Sequence, residues 1–138
     1  MIPFELIDHT ADVGIKATGE DLEETFQEAA RGMFSIISDL SKVERKNEYK
    51  FEIEEDNLEN LLVSYLSELI YLHEVKNALF SDFEVDIKSK NEGKTIKAKA
   101  VGEEIDLDKH DMDTAVKAVS YHELSIDPEG EIKIILDI

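Results

Sequence analysis

Apolar residues recur along this chain with two different periods, and each change of period marks a predicted element. A spacing near 3.6 predicts two helices, the first beginning at the N-cap Asp21 and ending near Ser38, and the second beginning near Asn57. Glu24 follows Asp21 by three residues, which is the spacing of a capping box. The second helix has the broader apolar face, which consists of Leu58, Leu61, Leu62, Tyr65, Leu66, Leu69, Ile70 and Leu72.

Elsewhere apolar and polar residues alternate, which predicts strands with one buried face. Such runs lie at 4–7, 13–17, 49–54 and 83–88, and turns at 91–93 and 127–130 delimit further strands at 94–101, 116–126 and 131–137. The order strand, strand, helix, strand, helix and four strands predicts an α+β fold, a two-layer sandwich with two helices packed on one mixed β-sheet. Because no linker rich in Pro, Gly or Ser interrupts it, residues 1–138 are expected to form a single domain.

Charge narrows the classes of partner. Thirty-three acidic residues against 15 basic ones leave a net charge of −18, and Arg31 and Arg45 are the only arginines. Nucleic-acid binding draws most of its affinity from Lys and Arg, so we expect no direct stable binding of RNA. The acidic surface can attract a cation or a basic protein, or it can be a solvated shell that maintains solubility.

Cysteine usage and apolar runs bear on the compartment. The chain has no Cys, so it forms neither a disulfide nor a thiolate metal site. No run is apolar and long enough to span a bilayer, and the N-terminus has Pro3 and Glu5 where a signal peptide has basic and then apolar residues. We therefore expect a cytoplasmic protein with no membrane association.

Polar groups collect at the junction of the first two predicted strands and at the end of the last one. His9, Thr10 and Asp12 lie at the junction, and Asp137 lies beside the α-carboxylate of Ile138. Together, the carboxylates of Asp12, Asp137 and Ile138 would make an oxygen-rich site for Ca²⁺, Mg²⁺ or Mn²⁺. The alternative is a frayed hydrophilic tail, and the sequence by itself does not place Asp12 beside Asp137.

Other polar residues are weaker candidates for the functional site. Glu68 lies at the rim of the second helix's apolar face, and His122 can pair with Asp12 for acid–base work, but no nucleophile accompanies that pair. The acidic segment 103–113 lacks the EF-hand spacing and reads as a solvated loop, in which His110 has no evident ligand set. The standard catalytic motifs are absent.

Several longer runs match one known family over nearly the whole chain. They are Ile7-Asp8-His9-Thr10-Ala11-Asp12-Val13-Gly14-Ile15, Tyr65-Leu66-Ser67-Glu68-Leu69-Ile70-Tyr71, Val116-Lys117-Ala118-Val119-Ser120-Tyr121-His122 and the closing Asp137-Ile138. In these runs the chain resembles the archeases. Tyr65 stands where that family is expected to have Trp, and Ser120 stands where Thr is usual.

The resemblance implies a non-catalytic, metal-binding protein cofactor that activates the tRNA-splicing RNA ligase RtcB. In that family the cofactor promotes guanylylation of the ligase and its multiple turnover, which places GTP at the partner interface. The resemblance also implies a divalent metal ion, Ca²⁺ first and Mn²⁺ or Mg²⁺ as alternatives, bound by Asp12, Asp137 and the terminal carboxylate of Ile138. His9, Glu68 and His122 match supporting polar positions.

Two other functions stay open at this point. One is a general chaperone-like modulator of nucleic-acid-modifying enzymes, in which the metal site is only structural. The other is a small metal-dependent phosphohydrolase, for which two neighbouring metal ions are the usual arrangement. The sequence offers carboxylates for one such site, which favours the cofactor role over the hydrolase.

Overall fold

A computed structural model of the protein describes residues 3–8 and 12–138, except for the side chain of Asp8. The strands are β1 (Phe4–Asp8), β2 (Asp12–Thr18), β3 (Asn47–Glu55), β4 (Ala78–Lys90), β5 (Gly93–Glu104), β6 (Ala118–Asp127) and β7 (Glu131–Asp137). The helices are α1 (Leu22–Ile37), which follows β2, and α2 (Leu58–Lys76), which follows β3, and a short 3₁₀ turn covers Leu40–Lys42.

The described strands form two antiparallel sheets, in the orders β1-β2-β7-β6 and β3-β5-β4. The predicted α+β class with two helices is confirmed, but the strands divide into two sheets and do not form one mixed sheet. Three hairpins, β1–β2, β4–β5 and β6–β7, join chain neighbours in antiparallel pairs. The remaining contacts of β7 with β2 and of β5 with β3 are antiparallel too, so the described strands have no parallel crossover.

Each helix begins at the predicted cap and packs against strands of both sheets. The carboxylate of Asp21 accepts a hydrogen bond from the amide of Glu24 at 2.8 Å, and the side chain of Asn57 accepts one from the amide of Asn60 at 2.8 Å. These bonds satisfy amides that the first helical turn leaves without partners. The predicted apolar faces form the core, whose largest fully buried side chains include Tyr65, Phe26, Phe34, Phe80, Ile15 and Met33. Neither described helix combines the length and apolarity needed to cross a membrane.

Among the described residues, one buried side-chain polar atom, the hydroxyl oxygen of Tyr65, has no hydrogen-bond partner. Tyr65 is 1% exposed, and its hydroxyl makes no hydrogen bond within the described part of the chain. Burial raises the pKa of Tyr65 well above its usual range, so the hydroxyl stays neutral. Its ring is held between those of Phe26 and Phe51, at centroid distances of 5.9 and 6.1 Å. The ring therefore contributes to packing while the hydroxyl adds an uncompensated desolvation cost.

Tyr65→Phe should raise the free energy of unfolding by about 1 kcal/mol, because it removes an unsatisfied buried hydroxyl and keeps the ring. Urea unfolding at constant slope measures the change. Tyr121→Phe is the matched control, since the hydroxyl of Tyr121 donates to Asn60 Oδ1 at 2.8 Å on the surface. A loss of stability for Tyr65→Phe equal to that for Tyr121→Phe would contradict the conclusion that the Tyr65 hydroxyl makes no hydrogen bond.

Candidate metal centre

The candidate site lies where β2 and β7 run side by side. In the register of this pair, Asp12 stands directly opposite Asp137. Residues opposite each other on antiparallel strands point to the same face, with their Cβ atoms about 5 Å apart. The structure therefore brings together the two side-chain carboxylates that are predicted as ligands and come from opposite ends of the chain.

Strand alternation directs both carboxylates to the face of the sheet that points away from the helices. Ile15 of β2 and Leu136 of β7 are fully buried and belong to the core. Asp12 and Asp137 have the opposite parity, so they project from the other face, Asp12 half-buried and Asp137 exposed. A cation can reach them there without disturbing the core.

The backbone at Asp137 is held on both sides. Asp12 pairs with it across β2, Ala118 pairs with it across β6, and its carbonyl accepts a hydrogen bond from the amide of Lys117 at 2.8 Å. Asp137 is thus an integral strand residue, and the frayed-tail alternative does not describe it. Ile138, whose α-carboxylate is the third predicted ligand, follows directly and is 36% exposed.

The charges at this position have no compensating partner in the described residues. Neither Asp12 nor Asp137 takes part in an ion pair among the salt bridges of residues 3–8 and 12–138. Like charges placed directly opposite each other destabilise a pair of strands. A hard divalent cation that accepts carboxylate oxygens would remove that repulsion, with water completing its coordination. The donor set therefore fits the predicted ion.

The side chains of the described residues do not by themselves form a complete metal site. Within residues 3–8 and 12–138, no group of three or more His, Asp or Glu side chains is arranged to hold a metal ion. The predicted site needs only two side chains, because its third ligand is the α-carboxylate of Ile138. The supporting residue His9 lies outside the described residues, as does Thr10.

Two supporting residues lie apart from the paired carboxylates. Glu68 is half-buried on α2, as its position at the rim of the apolar face predicts. His122 lies in an irregularity of β6 between Ser120 and Ser125, with a side chain that is 78% exposed and 3.9 Å from Glu123. No described contact joins either residue to Asp12 or Asp137, so the acid–base pair of His122 with Asp12 is not formed here.

Sequence reasoning missed a buried charge cluster around Glu103. Glu103 and His110 are 4% and 2% exposed, so the prediction of a solvated loop is wrong for both. Glu103 Oε2 accepts hydrogen bonds from the amide of Glu44 at 2.6 Å, from Lys109 Nζ at 2.7 Å and from His110 Nε2 at 3.1 Å. The sequence did hold a signal for this cluster, namely Lys109 and His110, because both residue types can donate hydrogen bonds to a buried carboxylate.

The chemistry of this cluster follows from those bonds. Desolvation by itself would raise the pKa of Glu103. The hydrogen bonds from the backbone amide of Glu44 and from the side chains of Lys109 and His110 outweigh this effect and lower the pKa to about 2. His110 Nδ1 accepts from the amide of Asp106 at 3.0 Å, so Nε2 carries the proton that Glu103 accepts. The cluster is therefore a structural anchor in which Glu103 stays ionised at neutral pH.

The segment 111–114, which follows His110, completes the hydrogen bonding at the C-terminal end of α1. The amides of Asp113 and Thr114 donate to the carbonyls of Ile37 and Ile36, at 2.8 and 3.3 Å. The hydroxyl of Ser38 donates to the carbonyl of Asp111 at 2.6 Å. Carbonyls in the last turn of a helix lack partners within it, and this segment supplies them.

The sequence matches a family model and many of that family's members. The model of the Archease protein family matches residues 4–138. A protein archease of Pyrococcus abyssi is 41% identical over 129 residues, covering 92% of this chain and 91% of its own length. A protein archease of Sulfurisphaera tokodaii is 42% identical over 135 residues, covering 98% of this chain and 96% of its own.

Two solved structures are similar in fold. The solution structure of protein 1598 of Methanobacterium thermoautotrophicum matches with a TM-score of 0.87 and 38% identity, over 100% of both chains. A crystal structure from Thermotoga maritima matches with a TM-score of 0.57 and 20% identity, over 96% of this chain and 94% of its own. The latter protein is described as an archease and possible chaperone.

Proposed function

Since this chain belongs to the archease family, we propose that it is a non-catalytic, metal-binding protein cofactor of the tRNA-splicing RNA ligase RtcB. In this role it promotes guanylylation of the ligase and its multiple turnover, in the cytoplasm. The observation that carries the proposal is the placement of Asp12 opposite Asp137 on the sheet face that points away from the helices, with no basic partner among the described residues.

The proposed mechanism works through positioning and charge. Asp12, Asp137 and the α-carboxylate of Ile138 hold a divalent ion, for which Ca²⁺ is the first candidate and Mn²⁺ or Mg²⁺ the alternatives. When bound, the ion would supply positive charge for nucleotide phosphates such as those of GTP at the partner interface. The net charge of −18 would favour encounter with a basic, phosphate-binding cleft of the ligase.

Asp12→Asn tests the proposal, because it removes one charged ligand while keeping the size of the side chain. We expect Ca²⁺ and Mn²⁺ to bind at least roughly tenfold more weakly, since even residues that only orient metal ligands contribute that much. Stimulation of ligase guanylylation should fall with it, while the urea midpoint stays the same or rises. Calorimetric titration and a guanylylation assay measure the two effects.

The controls separate the site from the general acidity of the chain. Glu129→Gln removes one negative charge at the exposed turn beyond the other end of β7 and should leave both readouts unchanged. Residues added after Ile138 convert the α-carboxylate into a peptide carbonyl and should weaken metal binding. Undiminished stimulation by the Asp12→Asn protein would overturn the metal-placement role.

A general chaperone-like modulator is the second candidate, favoured by the description of the Thermotoga maritima relative as a possible chaperone. In that case several nucleic-acid-modifying enzymes would be stabilised and the metal would be structural. Assays of a panel of such enzymes with and without chelator distinguish the two functions. Stimulation confined to the ligase and lost with chelator supports the cofactor role, while broad, chelator-resistant stabilisation supports the chaperone.

A further inference from the structure

The two arginines of this acidic chain line the same surface pocket. Arg31 lies on α1 and Arg45 lies just before β3, and both border a depression of about 340 Å³ beside β4. The other lining residues are Gln27, Glu28, Val43, Ser81, Asp82 and Phe83. The chain has 33 acidic residues, yet its only two guanidinium groups border the same pocket. A role in binding would explain this placement.

The pocket lies beside the edge of β4 along which α1 runs. Along that edge, Glu23 Oε2 accepts from the amide of Ile87 at 3.0 Å, and Gln27 Oε1 accepts from the amide of Val85 at 3.1 Å. One helical turn further, the next residue on this side of α1 is Arg31. There β4 has a register shift between Phe80 and Asp82, which interrupts the regular edge and leaves the depression.

Both guanidinium groups are held in place by carboxylates of the same pocket. Arg31 Nη1 lies 3.3 Å from both carboxylate oxygens of Glu28, and Arg45 Nη1 lies 3.0 Å from Asp82 Oδ2. Within the described residues, Nε and Nη2 of either arginine make no hydrogen bond. Each guanidinium therefore keeps N–H donors available in a planar fork, the geometry that matches a carboxylate or a phosphate.

A third donor points to the same class of ligand. Because Gln27 Oε1 is occupied by the amide of Val85, the side-chain amide of Gln27 is fixed with its NH₂ group as the remaining donor. The hydroxyl of Ser81, on the irregular part of β4, is only weakly engaged, 3.5 Å from the carbonyl of Val43. Donors from two arginines, a glutamine and a serine thus border one small space.

We propose that this pocket binds a single small oxyanion through Arg31 and Arg45. Glu28 and Asp82 offset the charges of the two arginines and Arg45 also acts on Glu84, so the pocket offers N–H donors rather than net positive charge, and a small anion fits better than a polyanion. The shared chemistry is an oxygen-bearing anion, whose two sources are a phosphate group and a carboxylate. The pocket is separate from the paired carboxylates, so its test is independent of the proposed metal site.

Titration of the full chain with inorganic phosphate, and separately with acetate, followed by NMR, tests the proposal. We expect saturable shifts of the Nε–H signals of both arginines and of the backbone amides of Ser81 and Phe83, with chloride at matched ionic strength producing none. Saturation at lower concentration by phosphate or by acetate identifies the preferred group. Shifts that stay linear with both anions would overturn the proposal.

Variants make the assignment specific. Arg45→Gln and Arg31→Gln should each weaken binding at least roughly tenfold, which corresponds to the loss of one charge-assisted hydrogen bond. The side chain of Arg45 is 61% exposed and that of Arg31 is 40% exposed, so neither belongs to the core and the fold should tolerate the changes. Lys97→Gln, at the outer surface of the three-stranded sheet, removes the same charge elsewhere and should have no effect. Equal weakening by Lys97→Gln would show a general charge effect and refute the site.

Discussion

Glu103→Ala should lower the free energy of unfolding by about 3 kcal/mol, because it removes the acceptor shared by three buried or half-buried donors. The amide of Glu44 would lose its partner, the ring of His110 would keep only the carbonyl of Lys42 at 3.2 Å, and Lys109 would lose its 2.7 Å bond. The neighbouring Glu104 is exposed, so Glu104→Ala is the matched control and should change stability by less than about 0.5 kcal/mol. Equal losses for the two variants in urea unfolding would refute the anchor.

The same residue predicts how the stability depends on pH. The pKa of Glu103 is lowered from 4.5 to about 2 on folding, so the folded state favours the ionised form. Its contribution is therefore fully present above pH 4.5 and is lost as the pH falls towards 2. Urea unfolding at a series of pH values should show a shallower decline in this window for Glu103→Ala than for the unaltered chain. Equally steep declines for Glu103→Ala and the unaltered chain would contradict the assignment of this pH dependence to Glu103.

Gly102→Ala should destabilise the protein by about 3 kcal/mol, at the upper end of overpacking effects. A Cβ at this position would overlap the carbonyl oxygen of Leu79 and lie 2.8 Å from Phe80 Cα, both backbone atoms of the adjacent strand. Those atoms cannot retreat, because Leu79 and Phe80 are fully buried. The backbone of Gly102 is also held from its other side, where its carbonyl accepts from the amide of Lys46 at 2.9 Å.

Gly93→Ala provides the comparison, since it is another glycine of β5 with more space around it. Its nearest atom would be the carbonyl oxygen of Glu55 at 3.1 Å, which a small shift of the exposed turn can relieve. We expect a loss below about 1 kcal/mol. Thermal and urea unfolding of both variants measure the difference, and a loss at Gly102 no larger than that at Gly93 would show that β4 yields at this point.

Local signals account for the elements that were predicted well. The first helix begins after Asp21 and ends at Ile37, because a capping side chain and a regular apolar spacing act within a few residues of each other. Likewise β7 spans Glu131–Asp137 as expected, since a turn at Pro128 and Gly130 precedes an uninterrupted alternation. The division into two sheets had no such signal, because alternation identifies a strand's buried face but not its neighbours.

The sequence by itself determined the elements, the acidic character and the residue types of the candidate site, because periodicity, capping and charge are properties of short segments or of composition. Only the tertiary structure decided that Asp12 faces Asp137, since that depends on the register between strands from opposite ends of the chain. Only the tertiary structure placed Glu103 and His110 in the interior and brought Arg31 to the same pocket as Arg45. A charged residue is solvated or buried according to the donors that distant segments bring to it, and no local pattern encodes those donors.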